Sequence, residues 1–287
     1  MQKALDSLLS LLDLENLEVN LFRGRSPEGW SQRVFGGQVL GQALVAAGRT
    51  VEDRDAHSFH SYFLRAGDPT HPILYQVDRT RDGRSFTTRR VTAIQAGRAI
   101  FHLEVSFQKP EKGHEHQDEM PEVPDPETLP SESDQMRAFA ADLPEADREW
   151  IERDRPIELR YITQYNPFAP GTRPPRLQVW VRTDGTLPDS LRVHQCVLAY
   201  ASDLTILDSS LFPHNVSWTD HSHQVASLDH AMWFHRPFRA DRWLLYVQES
   251  TAAAGARGFS TGRLFTQDGS LVVSVAQEGL IRPARGV

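Results

Sequence analysis

The chain has 287 residues, enough for one large domain or two of about 140 residues, each able to bury a core. Hydrophobic residues make up 39% and charged residues 24%, and a net charge of −7 argues against nucleic acid as a partner. The single cysteine, Cys196, excludes an internal disulfide and a cysteine-built metal site, and points to a reducing, cytoplasmic setting.

The N-terminal stretch "MQKALDSLLSLLDLENLEVNLF" reads as a leucine-rich amphipathic helix that packs on the body of the protein. Its acids Asp6, Asp13, Glu15 and Glu18 set it apart from a signal peptide or a mitochondrial presequence. No apolar run reaches the roughly 18 residues of a membrane span, and the terminal "ARGV" differs from a Ser-Lys-Leu address.

Next comes an apolar helix, "GGQVLGQALVAAGRTV". The following "ILYQVDRTRDGRSFTTRRVTAIQAGRAIFHLEVSFQ" alternates with period two and breaks at Asp82-Gly83 and Ala96-Gly97, as antiparallel strands do at their turns. A proline-rich acidic stretch then has linker composition, and "DQMRAFAADLPEADREWIERD" reads as a short helix within that connection. His114 and His116 lie in the linker and read as solvated side chains, not zinc ligands. Asp220, His221 and His223 read the same way.

A second apolar helix, "RVHQCVLAYASDLTIL", is followed by the aromatic-rich strand "DHAMWFHRPF" and a meander with a turn at Asp268-Gly269. The order of the first half is therefore repeated. Phe63 and Phe234 stand 171 residues apart (234 − 63), as do Leu74 and Leu245 (245 − 74), while Gly97 and Gly269 differ by 172 (269 − 97). Near-constant spacing of this kind suggests duplication. A helix followed by an antiparallel meander, twice over, predicts an α+β fold with each sheet wrapped round its helix. The expected units are 1–108 and 157–287, joined by a connection over 109–156.

Two polar residues interrupt apolar faces. On a helix, Asp203 falls three, four and seven residues after Tyr200, Ala199 and Cys196, which places it beside apolar neighbours. Burying its charge costs several kcal/mol or more unless hydrogen bonds offset it. In the last strand, Leu271, Val273, Val275 and Gln277 share a face, so Gln277 ends an apolar row. Helix offsets of 158 or 159 map Asp203 onto Val45 or Leu44, and 172 maps Gln277 onto Val105. The first half is apolar where the second is polar, as a spent copy beside a working one would be.

The stretches "FRGRSPEGWSQRVFGGQVLGQAL", "HSFHSYFLRAGDPTHPILYQVDRTRDGRSFTTRRVTAIQ" and "LDHAMWFHRPFRADRWLLYVQESTAAAGARGFSTGRLFTQDGSLVVSVAQEGLIR" resemble the acyl-CoA thioesterase II family. The resemblance covers all but the linker. It implies a double hotdog, two helix-plus-antiparallel-sheet units on one chain forming a pseudo-dimer. It also implies an Asp, a Ser or Thr, and a Gln that hold an attacking water; at the matching positions these are Asp203, Ser227 and Gln277. The implied reaction hydrolyses fatty acyl-CoA to free acid and coenzyme A, with no cofactor, metal or acyl-enzyme, in a homo-oligomer.

Two helix N-termini are equal candidates for the oxyanion site, Gly36-Gly37 and His194-Gln195. Arg65 and Arg236 are candidates for the coenzyme's phosphates. Neither a dinucleotide-binding GxGxxG nor a GxSxG elbow is present. Two alternatives stay open: a hotdog enoyl-thioester hydratase or dehydratase using His194 or His230 with an aspartate, and a non-catalytic acyl-CoA-binding protein.

Overall fold

A computed structural model describes residues 2–27, 33–140, 154–163, 166–168, 171–218 and 222–284. Helix α1 spans Gln2–Leu12 and buries Leu5, Leu8 and Leu12, the three- and four-residue spacing of one helical face. It is shorter than the leucine pattern suggests. Its acidic tail instead forms the hairpin β1 (Glu15–Glu18) and β2 (Leu21–Gly24), which turns through Asn20 in the left-handed region at φ 61°. Asparagine tolerates that conformation well.

The first unit continues with α2 (Gly36–Gly48), β3 (Asp55–Phe63), β4 (Ile73–Asp82), β5 (Phe86–Gln95) and β6 (Arg98–Gln108). In the connection, α3 spans Glu132–Ala140; the remainder of the helix expected there, 141–153, lies outside the described residues. The second unit comprises β7 (Ile157–Tyr161), β8 (Arg176–Thr183), α4 (Leu191–Ser202), α5 (Asp208–Leu211), β9 (His223–Ser227) and β10 (Asp229–Phe234). It ends with β11 (Leu244–Ala254), β12 (Arg257–Thr266) and β13 (Leu271–Pro283). Asp220 and His221 lie outside the described residues.

All described strand pairs are antiparallel, in the order β1-β2-β4-β5-β6-β3-β10-β13-β12-β11-β8-β7, with β9 added to β13. The order on either side of the β3–β10 seam is the same read outward. At the seam His60 pairs with Ala231, and these residues are themselves 171 apart (231 − 60). A pseudo-twofold axis therefore passes through that pair, and the repeat legible in sequence is the repeat of the fold. This is a double hotdog.

The central helices α2 and α4 pack antiparallel. A Cβ on Gly37 would stand 2.3 Å from the Tyr200 carbonyl oxygen, and one on Gly41 3.1 Å from that of Cys196. Gly37 and Cys196 are 159 apart (196 − 37), as are Gly41 and Tyr200 (200 − 41), so the two contacts exchange under the twofold. That fixes the helix register: Asp203 corresponds to Leu44.

The acidic connection is not a free tether. Met120, Val123 and Leu129 pack on the outer face of the second sheet against Trp180, Trp243, Leu245 and Phe265. Trp180 Nε1 donates to the Pro124 carbonyl at 3.0 Å and Trp243 Nε1 to Glu127 at 2.8 Å. Apolar residues placed between the prolines and acids anchor it.

Candidate active site

Helix α4 stops one residue before Asp203, where the ladder tightens and the Leu204 N–H reaches the Ala201 carbonyl at 3.1 Å. The apolar run to Leu207 had suggested a longer helix. Asp203 is the C-cap, in right-handed conformation at φ −85° and ψ −5°, and it faces the N-terminus of α2 from the other unit. A Cβ on Gly36 would come within 2.5 Å of Asp203 Oδ2, so only glycine admits the carboxylate there. The Gly37 backbone N–H donates to Asp203.

Strand β13 carries Gln277 on the buried face it shares with Val273 and Val275. The Gln277 Nε2 amide donates to Asp203 Oδ1 at 3.0 Å and to Ser227 Oγ at 2.9 Å, and Ser227 Oγ donates to Asp203 Oδ1 at 3.2 Å. The three side chains close a triangle. Ser227 reaches it because the register slips by one residue between β9, where Ser227 pairs with Gly279, and β10, where Ala231 pairs with Ala276. The extra residue is Leu228, a bulge that turns both Ser227 and His230 inward although they are three apart.

His230 completes the buried network. Its Nδ1 meets Gln277 Oε1, and its Nε2 lies 3.0 Å from Ser202 Oγ. Burial drives the His230 pKa down to about 4, with Gln277 partly opposing, so the ring is neutral near pH 7. Burial also raises Asp203 from its usual 3.8 to about 6, while the Gln277, Ser227 and Gly37 donors hold it back from rising further. A carboxylate with this value is ionised at neutral pH and still basic enough to accept a proton.

Two family models match the sequence: acyl-CoA thioesterase over residues 147–280 and acyl-CoA thioesterase N-terminal domain over 26–108. The chain is 43% identical to acyl-CoA thioesterase 2 of Haemophilus influenzae, covering 98% of this chain and 99% of that one. It is 44% identical to human acyl-coenzyme A thioesterase 8, covering 95% and 88%. The crystal structure of an acyl-CoA thioesterase II from Mycobacterium marinum superposes with a TM-score of 0.80 at 45% identity, covering 98% of this chain and 100% of that one. The chain belongs to the acyl-CoA thioesterase family.

In this thioesterase the two candidate oxyanion sites differ sharply. Gly36 and Gly37 adjoin Asp203, whereas His194 and Gln195 lie at the end of the first turn of α4, about nine residues or 13 Å up the helix. Gln195 donates to the Ala56 carbonyl at 2.7 Å, and His194 Nδ1 accepts the Ala240 N–H at 3.0 Å. Neither ring nitrogen of His230 faces open space, so the network leaves it no proton to exchange with a substrate. Arg65 donates to the Ala99 carbonyl, while Arg236 donates to that of Leu271 and pairs with Glu115 at 3.5 Å.

The twofold-related place in the first unit has Leu44, Ala56 and Val105 at the positions of Asp203, Ser227 and Gln277. Leu44 and Ala56, with Gln195 and Cys196, line a cavity of about 310 Å³ there. Sequence reading did not place Ser202 and His230 in the hydrogen-bond network of the candidate site. The signal for His230 was available: Met232 and Phe234 share its buried face by alternation.

Proposed function

We propose that this thioesterase hydrolyses fatty acyl-CoA by direct attack of a water held by Asp203, Ser227 and Gln277. The closed hydrogen-bond triangle at the N-terminus of α2 carries the reading. Asp203, ionised above about pH 6, takes a proton as the water oxygen bonds to the thioester carbonyl carbon. Ser227 Oγ accepts from that water, and Gln277, whose two N–H bonds go to Asp203 and Ser227, fixes both acceptors and so reduces the water's orientational freedom. Negative charge gathers on the carbonyl oxygen, where the α2 dipole and the Gly36 N–H stabilise it. Collapse of the tetrahedral intermediate breaks the C–S bond, and the thiolate recovers the proton from Asp203. A thioester is an activated acyl group, so this route needs neither a metal nor an acyl-enzyme.

The test is thiol release across acyl-CoA substrates from two to eighteen carbons. Wild-type protein is expected to turn over part of that range, and Asp203→Asn to lower kcat by about 10²–10⁴-fold with the fold retained. Undiminished hydrolysis in that variant would refute the role of the carboxylate.

A further inference from the structure

His230 is a fully buried, titratable side chain that the reaction above does not use. Its surroundings say what it is for. Continuing the β10–β13 register by one step from Ala231 and Ala276 puts His230 directly across from Gln277. The Gln277 Nε2 spends its two hydrogens on Asp203 Oδ1 and Ser227 Oγ, so Gln277 Oε1 points to His230 and needs a donor. A neutral imidazole has one N–H. It therefore sits on Nδ1, which leaves the Nε2 lone pair facing the Ser202 hydroxyl 3.0 Å away, whose one proton is shared with the Ala199 carbonyl at 2.9 Å.

The two units supply an independent comparison. With the strand offset of 171, His230 corresponds to Phe59 (230 − 171). With the helix offset of 159, Ser202 corresponds to Ala43 (202 − 159). The first unit repeats the local geometry: β3 slips its register against β6 between Ala56 and Ser58, the counterpart of the bulge at Leu228. Phe59 pairs with Val105 there, as His230 faces Gln277. So around the polar set the units repeat the same local backbone, and two further polar residues change together with the three already named. Where Asp203, Ser227 and Gln277 give way to Leu44, Ala56 and Val105, His230 and Ser202 give way to Phe59 and Ala43. A histidine kept only to fill space would have no reason to disappear with the amide it touches.

We propose that His230, held by Ser202, is a positioning residue that locks the Gln277 amide with its nitrogen toward Asp203 and Ser227. Without the histidine N–H, the Gln277 amide is free to rotate, and its flipped form sets an oxygen against the carboxylate. The inference rests on the Asp203, Ser227 and Gln277 reading and extends it one layer outward.

The experiment compares wild type with Asp203→Asn, His230→Phe, His230→Asn and Ser202→Ala, measuring kcat, KM and the pH profile of acyl-CoA hydrolysis. Phenylalanine is the residue the fold already accepts at the twofold-related position. His230→Phe is expected to lower kcat by about 10²-fold with KM changed by less than about threefold, since binding groups are untouched. The acid limb of its profile, near pH 6 in wild type, is expected to move upward, because a loosened Gln277 no longer holds the Asp203 pKa down. His230→Asn, which returns an N–H close to the Nδ1 position, is expected to recover at least a tenth of the wild-type kcat, a return that ring packing alone would not produce. Should His230→Phe fail to fold, Ser202→Ala carries the test, with a several-fold fall in kcat and the same upward shift. Wild-type kcat and an unmoved acid limb in His230→Phe, or in Ser202→Ala where only that variant folds, would overturn the positioning role while Asp203→Asn stayed inactive. Full activity in Asp203→Asn would sink the underlying reading instead.

Discussion

At the scale of one residue, the site is a compromise over Asp203. Burial penalises its charge, and three donors repay only part of that cost, leaving its pKa near 6. For an acid, a folded pKa above the unfolded value of 3.8 means that the fold binds the proton more tightly than the unfolded chain does. The ionised carboxylate therefore destabilises the fold, by nothing below about pH 4 and by the full amount above about pH 6. A shift of roughly two units corresponds to about 3 kcal/mol. Asp203→Asn is uncharged, and its amide oxygen can still accept from Gln277 and Ser227. Urea denaturation is expected to find that variant more stable than wild type by up to about 3 kcal/mol at pH 8, the gap narrowing as pH falls through 6 toward 4. A gap that is absent at pH 8, or that widens in acid, would contradict the raised pKa. In activity, kcat is expected to fall below about pH 6 as Asp203 takes its proton.

At the scale of an element, the contact between α2 and α4 sets where Asp203 meets its helix end. Gly37 lets the Tyr200 carbonyl approach to a distance no Cβ permits, whereas a Cβ on Gly48, at the far end of α2, would meet nothing within 4 Å. Gly37→Ala is expected to cost about 1–3 kcal/mol or more through overpacking, and to depress kcat by pushing α2 away from Asp203. Gly48→Ala is the control, with an expected gain of about 0.4–1 kcal/mol from a less flexible unfolded chain. Thermal unfolding of the two variants reads both effects; equal melting temperatures would remove the helix contact as a determinant of the site. Both helices were legible as apolar runs and the strands as alternation broken by turns, because those patterns are local. The reason for glycine at 37 was not, since it depends on a carbonyl 163 residues away (200 − 37). Ser227 was equally hidden from periodicity. Its face is set by the bulge at Leu228, and strict alternation would have turned it away from His230.

At the scale of the molecule, the duplication was readable as a constant spacing, but the division of labour between the units was not. Sequence comparison made the first unit a spent copy. In the folded chain that unit supplies the α2 N-terminus to Asp203, the Gly37 N–H, and the β3 edge on which β10 and its His230 lie. The α2–α4 contact runs antiparallel, so residues that touch, such as Gly37 and Asp203, are not the residues that the repeat aligns. The acidic connection adds a second tie, since its Met120 and Val123 cover apolar surface of the second sheet. The polar set of the second unit is therefore not expected to suffice for hydrolysis on its own. Produced alone, residues 154–287 would bare the β10 edge, the Tyr200 side of α4 and the outer tryptophans, and would leave Asp203 without its helix dipole. No thioesterase activity is expected from that piece. Produced together with residues 1–140, it is expected to regain activity, because the seam, the helix pair and the connection can all re-form without a covalent link. Turnover by residues 154–287 alone at a rate near that of the intact chain would mean that Asp203, Ser227 and Gln277 work without the α2 end.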